Sequence, residues 1–115
     1  MAHREIIVKE NTVFSIVVSK RYEKNLQKAL EYTLQEWGAV TMVNFHLQII
    51  NEIDKLAFFP YSNVPPNRFL ERLNYREIIL KKYPFVITYC IDKKNVRVIN
   101  IIHTSRNPII RKSSR

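Results

Sequence analysis

The chain of 115 residues contains a single glycine, Gly38, and it separates two stretches of helical period. Before it, Tyr22, Leu26, Ala29, Leu30, Thr33, Leu34 and Trp37 recur at intervals of three and four, one face of a helix that starts near Lys20. Ser19 is of the type that caps a helix start, and Gly38 supplies the left-handed residue at which helices commonly end. After it, Met42, Phe45, His46, Ile49, Ile50, Ile53, Leu56 and Ala57 form a second stripe, closed by "FFP" at Pro60. So short a joint predicts an antiparallel hairpin of helices. Neither helix can bury its stripe alone, so both need a common surface.

Strands are expected to provide it. "VFSIVVS" (Val13–Ser19) is β-branched, with Phe14, Ile16 and Val18 on one face. "PYSNVPPN" (Pro60–Asn67) is turn chemistry, and "RFLERL" (Arg68–Leu73) reads as a helical turn. Three β-rich runs follow, Tyr75–Leu80, Phe85–Ile91 and Asn95–His103, joined through "KKYP" and "DKKN" as hairpins. In the middle run Phe85, Ile87, Tyr89 and Ile91 share one face, and Val86, Thr88 and Cys90 the other. The expected class is α+β: a strand, an antiparallel helix hairpin, then a three-stranded antiparallel meander, with the helices on one face of a mostly antiparallel sheet. The length fits one domain, placed at residues 13–108 between an N-terminal arm, 1–12, and a basic C-terminal tail, 109–115.

A composition of 46% hydrophobic and 25% charged residues is globular. No apolar run approaches the ~20 residues of a membrane span, the start has no secretory segment, and the lone Cys90 has no internal partner. A cytoplasmic location is expected, with no membrane partner. The net charge of +9 is unevenly spread. Up to Ile78 ten Lys and Arg face nine Asp and Glu; from Ile79 onward nine face Asp92 alone, so this segment carries +8. A field of one sign attracts polyanions, either nucleic acid or an acidic protein.

Most catalytic signatures are missing. One glycine cannot build a phosphate loop, no Cys and His cluster suggests zinc, and no serine has a nucleophile-elbow context. No cofactor or metal is expected. Phe14, Phe45, Phe58, Phe85 and Tyr89 lie on apolar faces as core, while Tyr61, Tyr75 and Tyr83 are freer. Among the histidines, His103 stands out because it ends a strand beside Arg106, with Arg76 and Lys81 on a neighbouring run. Cleaving an RNA phosphodiester needs a proton acceptor, a donor and cations near phosphate, which His103, Arg106, Arg76 and Lys81 could supply without metal. Equally, His103 could bond backbone at the end of the sheet while Arg106 pairs with a carboxylate such as Glu77.

The segment "NRFLERLNYREIILKKYPFVITYCIDKKNVRVINIIHTSRNP" resembles the RelE/ParE superfamily of toxins from bacterial type II toxin–antitoxin, or plasmid-stabilisation, modules. The matching positions are Arg68 after the loop, Arg76 with Glu77 on the next strand, Tyr89 ending a strand, and His103, Arg106 and Pro108 in a closing His-x-x-Arg-x-Pro. With the earlier strand and helices, the resemblance spans about Val13 to Pro108.

Two mechanisms are implied by that resemblance. RelE-like members cut mRNA on the ribosome with a spread of Lys, Arg and sometimes Glu, His or Tyr. ParE-like members poison DNA gyrase. Val86 stands where the RNA-cutting branch commonly carries arginine, and "RNPIIRKSSR" lacks that branch's C-terminal tyrosine. The ending is closer to the ParE side. The resemblance therefore implies a growth-inhibiting toxin that binds a protein target such as gyrase and is neutralised by a cognate acidic antitoxin. The alternatives are a metal-independent, ribosome-dependent endoribonuclease and a basic interaction module without toxicity. Either a homodimer or a toxin–antitoxin hetero-oligomer is compatible with it.

Overall fold

One residue reverses the chain between two helices. The computed structural model describes residues 13–63 and 73–106, in the order β1 (Ser15–Val18), α1 (Lys20–Trp37), α2 (Ala39–Lys55), β2 (Tyr75–Ile79), β3 (Phe85–Asp92), β4 (Asn95–His103) and a 3-10 turn, Thr104–Arg106. The arm 1–12, most of "RFLERL" with Arg68, Pro108 and the tail 109–115 lie outside the described residues. Gly38 has φ 90° and ψ 174°, a conformation all but restricted to glycine. Its N–H closes α1 on the Leu34 carbonyl at 2.9 Å, and its own carbonyl accepts from Met42 N at 3.0 Å, opening α2. At the other end of α1, Ser19 is extended and its hydroxyl accepts from Tyr22 N at 3.0 Å, the expected cap.

The sheet has the order β1-β4-β3-β2. β2, β3 and β4 form the expected antiparallel meander, and β1 joins its outer side in parallel with β4, from Ser15 opposite Asn95 to Val18 opposite Val98. The sheet is therefore mixed, with the first strand as a fourth member. β3 and β4 run in register from Asp92 opposite Asn95 to Phe85 opposite His103, apart from one bulge between Thr88 and Tyr89. Lys93, at φ 59°, makes the tight reversal between them.

Helices and sheet share one core, built from Tyr22, Ala29, Phe45, Ile49 and Leu56 on the helices and Ile78, Ile87, Tyr89, Ile91, Val96, Val98 and Ile101 on the strands. The ring of Phe45 reaches Phe85 at 5.1 Å and Tyr83 at 4.9 Å, so Tyr83 is packed rather than free. β3 departs from simple alternation: Val86 and Thr88 are buried along with Phe85, Ile87 and Tyr89, as befits an inner strand. The helix stripes are narrower than their periodicity suggests. Leu34 and Trp37 are exposed at 44% and 46%, Ile50 also faces outward, and Phe58 is 59% exposed rather than core. Leu34 and Trp37 belong to the last turn of α1, where burial along that helix has ended at Thr33.

Gly38→Ala tests the reversal. A Cβ there would meet nothing within 4 Å, so any loss is conformational, about 1–3 kcal/mol, read as a lower urea midpoint. Tyr22 tests the core. Burial pushes its phenol up from 10.0 to about 12, so the folded state holds this proton more tightly than the unfolded chain. The resulting stabilisation is present below pH 10 and is lost as pH rises from 10 towards about 12. Urea midpoints should fall across that window, and Tyr22→Phe should make the fall shallower.

Candidate functional site

The end of β4 places His103 at the edge of the core. Its register partner is Phe85, whose ring meets the imidazole edge-on at 5.2 Å. Tyr32, from the exposed edge of α1, meets the same imidazole at 5.6 Å and links it to Trp37 at 5.7 Å. The His103 Nδ1 accepts from the backbone N–H of Ser105 at 3.2 Å and lies 2.8 Å from its hydroxyl. That assigns the proton of the neutral ring to Nε2. One step on, Thr104 N donates to the Pro84 carbonyl at 2.8 Å, so the chain leaves the sheet in a fixed turn.

A cleft of about 530 Å3 opens beside this turn, lined by Asn25, Lys28, Tyr32, Phe85, His103 and Ser105, with Glu31 and Gln35 at its margin. Its polar groups carry both signs, an ammonium from Lys28 and a carboxylate from Glu31. Asn25 also ties α1 to the sheet, its amide donating to Asn100 Oδ1 at 2.6 Å. The α1 contribution was not foreseen from sequence. Its signal is the spacing of Asn25, Lys28, Tyr32 and Gln35, a second edge of α1 beside the apolar stripe.

Arg76 and Tyr89 form a separate cluster. They are register partners, and Tyr89 stands four residues from Phe85 along β3, about 13 Å at the rise of a strand. The Tyr89 hydroxyl donates to the Pro60 carbonyl at 2.6 Å and receives the Asn63 amide at 3.3 Å. Arg76 donates to the Asn63 carbonyl at 2.6 Å and stacks over Tyr61 at 5.2 Å. Both side chains thus clamp the turn that follows α2. Burial raises the Tyr89 phenol above its usual range, partly offset by Asn63 and the Arg76 charge. Cys90 is likewise raised by burial, with the Arg97 charge opposing, which keeps it a thiol at neutral pH.

Register separates Arg76 from His103, since Arg76 pairs with Tyr89 and His103 with Phe85, four residues away along β3. Arg76 belongs to the Tyr89 clamp, and Lys81 is exposed in the β2–β3 connection. Arg106 closes the 3-10 turn after His103. Glu77 is buried on β2 opposite Thr88, and β3 lies between β2 and β4. Arg68 and Pro108 lie outside the described residues. No group of three or more His, Cys, Asp or Glu suited to a metal occurs among the described residues, and no helix there is long and apolar enough to cross a membrane.

Comparison with known proteins adds the family context. Residues 16–108 match the family described as the ParE toxin of type II toxin–antitoxin systems, parDE. Among solved structures, a chain of the chromosomal ParDE toxin–antitoxin system from P. aeruginosa is similar in fold, with a TM-score of 0.66 at 14% identity. The similarity covers 80% of this chain and 97% of that one. No curated protein sequence matches.

Tyr89→Phe should remove a donor from the buried end of the clamp at a cost of about 1–2 kcal/mol, measured by urea unfolding. Amide exchange at residues 61–63 should quicken while exchange in β4 stays unchanged, since the clamp and the His103 turn are separate units.

Proposed function

The chain belongs to the family of ParE toxins of type II toxin–antitoxin systems, and on that premise we propose that it arrests growth in the cytoplasm by binding a protein target, with DNA gyrase the expected one, until an acidic antitoxin neutralises it. The observation that carries this reading is the family match across residues 16–108. The disposition of the cations supports binding over RNA cleavage. An RNA-cutting site needs several cations and a base around one phosphate. Here Arg76 is engaged by the turn after α2, and His103 has its Nδ1 lone pair engaged by Ser105.

The basic segment gives the antitoxin reading its chemistry. Lys81, Lys82, Lys93, Lys94 and Arg97 are all exposed, spread over both hairpin connections and β4, against a single acid, Asp92. Spread charge of this kind suits an extended acidic chain that lies along the surface, and it speeds the encounter.

Purified protein should inhibit supercoiling by gyrase, and cells induced to express it should accumulate DNA breaks with intact mRNA. Degraded mRNA with unbroken DNA, abolished by His103→Ala and by Arg106→Ala in folded protein, would overturn this reading in favour of the endoribonuclease. Continued growth on expression would favour the basic interaction module.

A further inference from the structure

α2 buries one stripe and exposes another. Phe45, Ile49 and Leu56 face the core, while Val40, Val43, Leu47 and Ile50 are exposed, Val40 at 76% and Leu47 at 57%. The exposed four are spaced three, four and three, the a/d seam of two heptads. A seam this narrow is shaped for a single partner helix. Leu34 and Trp37, also exposed, lie within four residues of Gly38 at the same end of the hairpin.

Charge indicates which helix that is. From Trp37 to Asn51 there is no Lys, Arg, Asp or Glu. Over residues 20–55 five basic residues balance five acidic ones, so the hairpin is neutral, whereas the segment from Ile79 holds +8 of the +9. Two copies of so basic a protein repel everywhere except across such a face. An acidic chain, by contrast, is drawn to the other half of the molecule.

We propose that the α2 seam is a homodimer interface, in which α2 of one copy packs antiparallel on α2 of a second about a two-fold axis near Phe45. Val43 then meets Leu47 of the second copy, and Val40 meets Ile50, so the four positions are mutually complementary. The four seam side chains offer on the order of 350 Å2 of apolar surface, or about 700 Å2 across the pair, the size of a weak and concentration-dependent interface. The inference is independent of the toxin's target and of its antitoxin.

Sedimentation or light scattering of the full chain at about 10–100 µM should approach twice the 13.8 kDa of one copy. Leu47→Glu and Val43→Glu should each raise the dissociation constant at least tenfold with an unchanged circular dichroism spectrum. Mixing Val43→Glu with Leu47→Lys protein should restore a dimer that neither forms alone, since those positions oppose each other only in the antiparallel pair. A wild-type monomer at about 100 µM, a dimer indifferent to Leu47→Glu, or mixing without rescue would overturn the proposal. A monomer whose Leu47→Glu variant loses its antitoxin would also overturn it, and would assign the seam to a heterologous helix.

Discussion

The fold hangs on what β4 must hold at once. β1 lies along one edge of it in parallel, β3 lies along the other, and α1 crosses its face. Ser19 is where β1, α1 and β4 meet. Its N–H donates to the Val98 carbonyl at 2.9 Å, directly after Val18 has paired with Val98. Its hydroxyl donates to the Ile99 carbonyl at 2.6 Å and accepts from Tyr22 N. A single residue therefore ends a strand, caps a helix and fastens both to a segment eighty residues away. Where β4 bulges, Asn100 takes up the slack by accepting from Ile101 N and from Asn25. The local signals that start α1 are thus completed only when the last strand arrives.

Elements governed by neighbouring residues were legible in the sequence. The α1 limits follow from Ser19 and Gly38, and β4 begins and ends where its pattern says, at Asn95 and His103. What could not be read is which half of an apolar stripe has something to pack on. Leu34 and Ile50 satisfy the helical period as well as Ala29 and Ile49 do, but the sheet reaches only the latter. The parallel pairing of β1 was equally hidden, since pairing is decided across the whole chain. The candidate site divides along the same line. His103 and Arg106 are neighbours in sequence and stay neighbours at the end of β4. Arg76 was grouped with them on the basis of charge, and register sends it to Tyr89 instead.

Net charge is divided unevenly between the two layers. The hairpin is neutral and exposes Val40, Val43 and Leu47, whereas the meander exposes Lys81, Lys82, Lys93 and Arg97. On the proposed reading, the two surfaces would serve partners of different chemistry. A polyanion gains nothing from the α2 seam, and an uncharged helix gains little from the basic strands.

His103 is held in place by its neighbours in the fold. Every neighbour of its ring is explained by packing, with Phe85 across the ladder and Tyr32 from α1. Its Nδ1 receives the Ser105 N–H, which bends the chain out of the sheet into the turn that carries Arg106. With Nδ1 so occupied, the neutral ring carries its proton on Nε2, which donates rather than accepts. Lys28 and Glu31, of opposite charge, line the same cleft. Removing a proton from a ribose hydroxyl would require this imidazole to give up the bond that shapes the turn. The geometry therefore makes His103 the residue that fixes the turn at the end of β4.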